Sequence, residues 1–521
     1  MIRIRDILLP PEHNEHQLTY EAARALKISA SKIRKIQLVR RSIDARKKPD
    51  VKLVYTVDVA VDGNEAKILK QSACRRAALA PTARYRVPKG ADLPQRPVVV
   101  GFGPAGMFAA LVLALAGQRP LVLERGEDAE RRHKKVQHFF TTGELDPKSN
   151  VQFGESGAGT FSDGKLNTGV NDPRISWILE QFVAAGARED ILWDAKPHVG
   201  TDVLLTVVQN IRQRIISLGG EVRFDAKVEN IIENGGELQG LQLENGEIIP
   251  CSQAIFAIGH SARDTFRMLY NRGITMEPKP FSMGVRIEHK QSAVDLAQYG
   301  ARDLPLPPAD YKLVKHLDDA TVYTFCMCPG GYVVAAASEE GGVVTNGMSY
   351  ADRDGDNANA ALLVTLNPAD FPYEGPLGGV QWQQQIEQSA YSVGGFRAPA
   401  QLVGDFLAGR ASTGAASVEP TYRPGVTWCD LNQVLPAKIA DALKKAIPDL
   451  ERNLKGFSNP DAVLTAPETR SSSPVRIVRG ENRQCSLHGL YPSGEGAGYA
   501  GGIMSAAIDG MKSAEAVLEG L

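Results

Sequence analysis

The pattern of apolar and polar positions in the first 80 residues predicts a small α+β unit. Val51–Val61 alternates apolar and polar side chains, which is typical of a strand with one buried face. The pattern gives five elements in chain order: a strand at Ile2–Leu8, a helix at His16–Leu26, strands at Ile33–Ile43 and Val51–Val61, and a helix at Glu65–Ala80. Tyr85–Pro97 carries three prolines and is predicted to be a linker. We therefore assign residues 1–94 to a first domain, which is rich in basic residues.

From residue 97 the pattern is that of a parallel α/β fold, in which short apolar runs alternate with helical segments. Elements are predicted in chain order: strands at Val98–Val100 and Leu121–Leu123, a helix at Asp202–Leu218, a strand at Glu221–Asp225, hairpin turns at Asn234–Gly236 and Asn245–Gly246, a buried strand at Gln253–Gly259, strands at Phe281–Glu288 and Tyr332–Ala337, and a helix at Gly502–Leu518. Proline clusters interrupt the rhythm between residues 270 and 430. We assign 95–275 and 460–521 to one Rossmann-like α/β domain, and 276–459 to an inserted, mainly β substrate or cap domain.

A GxGxxG motif follows the strand that ends at Val100. Gly101 permits a tight turn, Gly103 lets the backbone approach a pyrophosphate, and Gly106 lets the following helix pack against the strand. The helix from about Pro104 to Gly117 would direct its free N–H groups at the phosphates. Glu124, 23 residues after Gly101, can accept hydrogen bonds from ribose hydroxyls. This order predicts a site for the ADP half of a dinucleotide.

Composition removes several classes of protein. The chain has 521 residues, 43% of them hydrophobic, and a net charge of −1, so no overall field favours nucleic acid or a membrane. Six cysteines without a CxxC pair indicate neither a disulfide framework nor a zinc site. No secretory signal or long apolar run is present, so a cytoplasmic protein is expected.

Residues 31–48 hold eight basic side chains and one acid. This cluster is typical either of a surface for RNA or phosphate, or of a solvated hairpin face. No aromatic residues alternate with the basic ones, which argues against stacking on bases.

Two further glycine-rich stretches indicate which dinucleotide is bound. Val151–Leu166 contains four glycines together with Ser and Thr, so its N–H groups can face a ligand, although an ordinary surface loop is the alternative. Gly494–Gly502 precedes a second glycine-rich helix start. An extended FAD needs two helix starts, one for its ADP half and one for its ribityl and flavin end, whereas NAD does not. The sequence therefore favours FAD.

These stretches resemble the two-dinucleotide-binding-domain flavoproteins of the glutathione-reductase superfold. Ala257–Gly259 is similar to a strand-end motif of that group, with Ile in place of Thr, and Gly494-Glu495 is similar to its GD motif, with Glu in place of Asp. More closely, nearly the whole chain resembles an uncharacterised bacterial family of FAD-dependent dehydrogenases. The strings that carry this resemblance are Arg40–Arg46, Asn150–Leu166, Pro197–Asp202, Lys279–Glu288, Cys326–Gly331 and Ser472–Ile477. The resemblance implies FAD as cofactor and no particular substrate.

The residues expected to hold FAD come from all of these stretches. They are Gly101, Gly103, Pro104, Ala105, Gly106, Glu124, Arg125, Gly157, Gly159, Thr160, Ser162, Gly164, Lys165, Leu166, Val228, Ala257, Gly259, Gly494, Glu495, Gly501, Gly502 and Ile503. No metal site is expected.

The expected function is that of an FAD-dependent oxidoreductase, a dehydrogenase or reductase that transfers hydride between flavin N5 and a small molecule. Lys165, Arg286, Arg470 and Arg476 are candidate catalytic residues, because several cations would suit an anionic substrate such as a carboxylate. Each is alternatively a structural ion pair. NAD(P)H stays open as the electron donor.

Other functions also fit the sequence. They are a monooxygenase that uses NAD(P)H and oxygen, a flavin-containing RNA-binding or RNA-modifying protein, and a scaffold with a vestigial cofactor site. Cys326 and Cys328 form a CxC pair, a spacing that is strained for a disulfide. They are interpreted either as two cysteines at a strand end or as a redox-active thiol beside the flavin.

Overall fold

The computed structural model describes residues 1–82, 84–90, 93–302 and 304–520, which form a mixed α/β fold. The linker predicted at Tyr85–Pro97 therefore lies partly outside the described residues. None of the helices in these ranges is both long and apolar enough to span a membrane.

The first 80 residues form a four-stranded sheet with two helices. The elements are β1 (Ile2–Leu9), α1 (Glu15–Leu26), β2 (Ile33–Asp44), β3 (Lys52–Val61), α2 (Glu65–Ser72) and β4 (Ala77–Leu79). The strands lie in the order β2-β3-β1-β4, and every neighbouring pair is antiparallel. Three strands and the first helix are confirmed within a residue or so. The helix predicted at Glu65–Ala80 is wrong beyond Ser72, because Ala73 is left-handed (φ 50°) and the next residues pair with β1 as β4.

The next part of the chain begins the larger α/β body. Its elements are β5 (Val98–Val100), α3 (Pro104–Leu115), β6 (Leu121–Leu123), α4 (Ala129–Thr142), α5 (Arg174–Ala184), α6 (Thr201–Ser217), β7 (Glu221–Arg223), β8 (Val228–Asn234), β9 (Glu237–Leu243), β10 (Ile248–Pro250), β11 (Ala254–Phe256), α7 (Arg263–Asn271) and β12 (Met276–Pro278). The predicted hairpin turns are confirmed, because β8, β9 and β10 form an antiparallel sheet around them.

A seven-stranded sheet dominates the following region. Its elements are β13 (Phe281–Lys290), α8 (Gln291–Tyr299), β14 (Val314–His316), β15 (Thr321–Cys328), β16 (Tyr332–Ala335), β17 (Thr345–Met348), β18 (Asn357–Leu366), α9 (Gly378–Gly394), β19 (Ala398–Leu402), α10 (Val403–Ala408), β20 (Val426–Trp428), α11 (Ala437–Leu450) and β21 (Val463–Glu468). The strand order is β14-β15-β18-β13-β21-β19-β20. The two long central strands are buried along nearly their whole length, so they form the core of this region.

The last elements return to the α/β body. They are β22 (Val475–Ile477), β23 (Leu490–Pro492) and α12 (Ile503–Glu519). The parallel sheet has the order β23-β11-β5-β6-β7. α3 is apolar on all sides and buried from Ala105 to Ala114, because it packs on the sheet on one side and on α12 on the other. Both helices begin at the edge where the parallel strands end.

The N-terminal sheet is joined to the larger body along its edge strand β2. The backbone N–H of Arg41 donates to the carbonyl of Trp193 (2.6 Å), and the N–H of Ala195 donates to the carbonyl of Arg41 (2.8 Å). The Arg41 guanidinium lies 4.5 Å above the Trp193 ring and pairs with Asp194 at 2.9 Å. These contacts pair the edge strand with the larger body at Arg41, one position of an edge that could otherwise pair with another chain.

Candidate functional site

A cavity of about 720 Å³ opens where the strands of the parallel sheet end. It is lined by the ends of β5, β6 and β11, the turns that lead into α3 and α12, the glycine-rich loop after α4, and part of β15. Its volume lies within the range of small-molecule and cofactor pockets. The cavity therefore joins the α/β body to the seven-stranded sheet.

Two helices begin at this cavity without a side-chain cap. α3 starts after Gly103 and α12 starts after Gly502, and among the residues that the structure describes neither N-cap position supplies a capping side chain. Other helices, such as α6 and α7, also lack a side-chain cap, whereas α1 is capped by Asn14 and α4 by Asp128. What distinguishes α3 and α12 is that both starts line the same cavity. The free N–H groups and the positive dipole ends at the cavity suit anionic or strongly polar ligand groups.

Two of the three glycines at the first helix start, Gly101 and Gly106, have no space for a side chain. Gly101 has φ 94°, and a Cβ there would lie 2.4 Å from the Ala257 carbonyl oxygen. A Cβ on Gly106 would lie 1.9 Å from the Gly101 carbonyl oxygen. Backbone atoms rather than flexible side chains fill these spaces, so the turn is restricted to glycine.

Glu124 ties the glycine turn to the glycine-rich loop. Its buried carboxylate accepts hydrogen bonds from the N–H groups of Phe102 (2.8 Å), Gly126 (2.9 Å) and Gly154 (3.0 Å), and it also lines the cavity. Sequence reasoning assigned this residue to a ribose and missed its three backbone partners. One of them, Gly154, is 30 residues away in the chain.

The glycine-rich loop wraps around one buried arginine. Residues 149–156 are buried, and the guanidinium of Arg132 donates to the carbonyls of Asn150 (2.8 Å), Val151 (2.9 Å) and Gly157 (2.9 Å) and also to that of Glu155. The loop is therefore not an ordinary surface loop. Arg132 was missed because it lies in a basic run, yet its spacing from Ala129 and Val136 places it on the apolar face of α4.

Most of the residues predicted to hold FAD line this one cavity. They are Gly101, Gly103, Pro104, Ala105, Glu124, Arg125, Gly157, Gly159, Ser162, Lys165, Val228, Ala257, Gly259, Gly494, Glu495, Gly501, Gly502 and Ile503. Four others lie behind its wall. Gly106 packs on Gly101, Gly164 packs on Gly200, Leu166 is in the core, and the Thr160 hydroxyl donates to the Glu155 carbonyl at 3.4 Å.

Two of the four candidate catalytic cations face the cavity. The ammonium of Lys165 donates to the Met327 carbonyl and lies 4.0 Å from Asp163. Arg470 also lines the cavity, and its guanidinium pairs with Glu387 at 2.9 Å.

The other two candidate cations lie outside the lining. Arg286 is fully buried and pairs with both carboxylate oxygens of Glu468, at 2.6 and 2.8 Å. Arg476 is held beside the Tyr499 ring, 5.4 Å from its centre. The structure therefore gives these two arginines internal partners instead of a position on the cavity surface.

A buried charge network supports the cavity wall at Arg470. Both oxygens of Glu387 accept from Arg263, at 2.7 and 2.8 Å, as well as from Arg470. Burial would raise the pKa of Glu387, but the two arginines hold it well below its usual range. Sequence reasoning missed Arg263 and Glu387, because they are 124 residues apart and no local pattern connects them.

His260 and Glu495 face each other beside the start of α12. His260 Nδ1 lies 3.7 Å from Glu495 Oε1, and both residues line the cavity. Burial lowers the pKa of His260 to about 3, so the ring is neutral. Burial raises the pKa of Glu495 to about 7, against a hydrogen bond from the Gly502 N–H. This carboxyl can therefore gain or lose a proton near neutral pH.

Comparison with known proteins supplies a family. Residues 280–471 match the model described as "FAD-dependent protein, C-terminal domain-like", and residues 1–60 match "Domain of unknown function (DUF8436)". An "Uncharacterized protein" of Clostridium beijerinckii (strain ATCC 51743 / NCIMB 8052) is 46% identical over 99% of this chain and 98% of its own length.

Solved structures overlap only partly with the chain. Glycine oxidase from Bacillus cereus ATCC 14579 (12% identity, 82% of this chain, 97% of that chain) has a TM-score of 0.34. L-proline dehydrogenase from P. horikoshii (13% identity, 82% of this chain, 95% of that chain) has a TM-score of 0.31. Flavin-dependent brominase Bmp2 (13% identity, 82% of this chain, 80% of that chain) has a TM-score of 0.37. At such TM-scores these structures add nothing to the assignment, which rests on the sequence matches. The chain belongs to the family of the Clostridium beijerinckii protein, and its C-terminal region matches the FAD-dependent protein model.

Proposed function

We propose that the cavity binds FAD and that the protein is an FAD-dependent oxidoreductase. The observation that carries this proposal is the pair of uncapped helix starts, at Gly103 and Gly502, that open onto one cavity of about 720 Å³. An extended dinucleotide has a charged centre and a polar ring system at one end, and each needs N–H donors. The family model over residues 280–471 supports the same cofactor.

The residues around the cavity fit this cofactor. The Gly101–Gly106 turn would hold the pyrophosphate, Glu124 the ribose, and Gly501–Ile503 the flavin end. Gly157 faces the same turn closely, since a Cβ on it would lie 3.2 Å from the Cα of Gly103. A bare backbone cradle of this kind leaves its space for a ligand instead of for side chains.

Bound FAD would supply hydride or electron transfer. The chain contributes fixed charge to that chemistry: the N–H groups at the start of α12 favour negative charge on a neighbouring ring, and the Lys165 ammonium adds a cation to the same cavity. Glu495 can hold or release a proton at its carboxyl near pH 7.

We further propose that the second reactant is a small anionic molecule, such as a carboxylate. Lys165 and Arg470 would orient it, since both line the cavity and their side chains are anchored by internal hydrogen bonds. In this proposal residues 95–275 and 460–521 hold FAD, and residues 276–459 cover it and shape the substrate side. The proposal does not specify whether NAD(P)H is the electron donor. Experiment must therefore distinguish this oxidoreductase from a monooxygenase that uses NAD(P)H and oxygen.

We favour the RNA alternative less, because three of the eight basic side chains in residues 31–48 form ion pairs within the chain. Arg34, Arg41 and Arg46 are paired with Asp62, Asp194 and Asp44 within the chain. These pairs reduce the charge that a phosphate backbone would contact.

The test is the visible spectrum of the purified protein before and after anaerobic NADH or NADPH. Flavin bands at about 370 and 450 nm are expected. Bleaching by NADH or NADPH would indicate the reductive half-reaction of a reductase or a monooxygenase. Oxygen consumption coupled to a substrate would then identify the monooxygenase. A yellow protein that does not bleach would indicate a dehydrogenase or oxidase reduced by its own substrate.

A matched pair of variants makes the test specific. Gly101→Ala places a Cβ 2.4 Å from the Ala257 carbonyl oxygen and should give colourless protein, whereas Gly414→Ala meets nothing within 4 Å and should stay yellow. Wild-type protein that stays colourless after incubation with FAD would contradict the proposal.

A further inference from the structure

Two thiols lie at the β15 end of the cavity. Cys326 lines the cavity and Cys328 is buried behind it. Residues two apart in a regular strand are separated by about 6.6 Å, at the upper limit for a disulfide. Here the pairing of β15 with β18 shifts register between Phe325 and Cys328, and Cys326 is left-handed with φ 41°. The bulge folds the strand back so that Cys328 Sγ lies 3.2 Å from the Cys326 carbonyl oxygen.

The environment of Cys326 stabilises a thiolate. A hydrogen bond from Cys328 is the largest effect, and with the nearby cations Arg286 and Lys165 it lowers the pKa of Cys326 to about 6, against burial. Arg286 also donates to the Cys326 carbonyl at 2.9 Å.

The acids that face Cys326 are mostly neutralised by other partners. Asp163 is paired with Arg353, and Glu468 with Arg286. The Glu495 pKa is raised to about 7 by burial, so its charge is partly suppressed. Lys165, 4.0 Å from Asp163, therefore leaves this end of the cavity with an excess of positive charge.

The second thiol has the opposite character. Cys328 is completely buried, and its pKa is raised well above the ordinary value by its hydrogen bond to Cys326 and by burial. A cavity-facing thiolate beside a protonated, protected thiol is the asymmetry of an attacking and a resolving cysteine. Tyr311, only 5% exposed, lines the same end of the cavity, and its hydroxyl has no hydrogen-bond partner within the described part of the chain.

We propose that Cys326 and Cys328 form a redox-active dithiol pair that exchanges two electrons with a flavin held in the cavity, an inference that rests on the proposed function. On oxidation one S–S bond forms between the Cys326 thiolate and Cys328, and the S–H bond of Cys328 breaks. Two electrons and that one proton pass to the oxidised flavin, which becomes anionic reduced flavin, and the reverse transfer reopens the disulfide. Cys326 is the sulfur that faces the oxidant, and Cys328 closes the bridge.

The pair is tested first without reference to flavin. The full chain is equilibrated in glutathione buffers of increasing oxidised fraction, quenched in acid, alkylated and digested with trypsin. The peptide of residues 316–353 contains both thiols and no other cysteine. In the wild type this peptide should carry two alkyl groups under reducing conditions. Under oxidising conditions it should carry none and be two hydrogens lighter than the unalkylated dithiol peptide. Cys328→Ser should give a mixed glutathione adduct at Cys326, and Cys429→Ser should behave as the wild type.

The flavin link is tested by anaerobic reductive titration of FAD-loaded protein that has first been oxidised. The wild type should consume four electrons per flavin before it is fully bleached, and Cys326→Ser and Cys328→Ser should each consume two. Circular dichroism confirms that both variants fold.

The outcomes separate the two proposals. Two electrons per flavin in all three proteins, or a peptide that is never bridged in glutathione, would overturn the dithiol pair. A chain that binds no FAD would overturn the proposed function and the named electron partner, and the glutathione experiment would still decide whether the bridge forms.

Discussion

Glu124→Gln is the substitution that examines the cofactor site most directly. The carboxylate accepts from Phe102, Gly126 and Gly154, with two of these bonds on one oxygen and one on the other. A glutamine has almost the same shape, but only its carbonyl oxygen accepts. Its NH2 group must then face at least one backbone N–H, so one or two of the three bonds are lost and a donor is left opposite a donor.

The size of the effect follows from those bonds. A hydrogen bond to a charged group contributes about 1.5–3 kcal/mol. If that free energy orders the Gly126 and Gly154 segments around the cavity, its loss weakens FAD binding by roughly ten- to hundredfold, since about 1.4 kcal/mol is one factor of ten. Glu229→Gln, at an exposed carboxylate of β8, is the matched control and should bind FAD as the wild type does.

Apoprotein of each variant is titrated with FAD while flavin fluorescence is recorded, and far-UV circular dichroism checks that the fold is kept. A folded Glu124→Gln protein with wild-type affinity would refute the reasoning. It would show that the three backbone bonds shape the loops without affecting the ligand.

Three further substitutions or treatments have definite expected results. Gly510→Ala places a Cβ 2.0 Å from the Ala105 carbonyl oxygen where α12 crosses α3, so it should destabilise the protein by about 3 kcal/mol or more in urea titration; an unchanged midpoint would contradict this packing. Glu387→Gln leaves the buried Arg470 without its carboxylate and Arg263 with that of Glu339 alone, and it should cost about 3–5 kcal/mol. Because the folded pKa of Glu387 is depressed, this stabilisation is full above about pH 4.5 and shrinks as pH falls below it, so urea midpoints of wild type and variant should converge only in acid. Iodoacetamide should alkylate Cys326 with a rate that rises through about pH 6, whereas burial raises the pKa of Cys429 and delays its reaction; equal profiles, measured by mass spectrometry, would count against a thiolate.

The parts of the site that could be predicted are those determined by neighbouring residues in the chain. The spacing of Gly101, Gly103 and Gly106 predicts the turn and the helix start, because both lie within six residues. The strands β1, β2, β3 and β13 and the helices α1, α6 and α12 followed from local apolar patterns for the same reason. The helix predicted through Ala80 failed because pairing with a strand at the opposite end of the unit overrides local helical preference.

The parts that could not be predicted depend on partners far apart in the chain. Arg132 is a surface-like residue in the sequence, and only the folded loop surrounds it with carbonyls. Arg286 carries the right charge for a substrate contact, but its partner Glu468 is 182 residues away and accepts from its Nε and Nη2 groups. Its Nη1 group donates to the Cys326 carbonyl. The bulge that brings Cys328 back toward Cys326 depends on the pairing of β15 with β18, and no spacing rule reports that pairing.

The position of β23 and α12 in the chain has a consequence for how the site is assembled during synthesis. β11 lies between β5 and β23, and α12 covers the helix that starts at the first glycine turn. These last elements follow the whole seven-stranded sheet in the chain order. The ribosome therefore synthesises the side of the cavity formed by β5 and α3 long before the side formed by β23 and α12. In that interval α3 is not covered by α12. Capture of the proposed cofactor would then be a late event, and the apolar surface of α3 is what a chaperone would have to protect until residues 490–519 are synthesised.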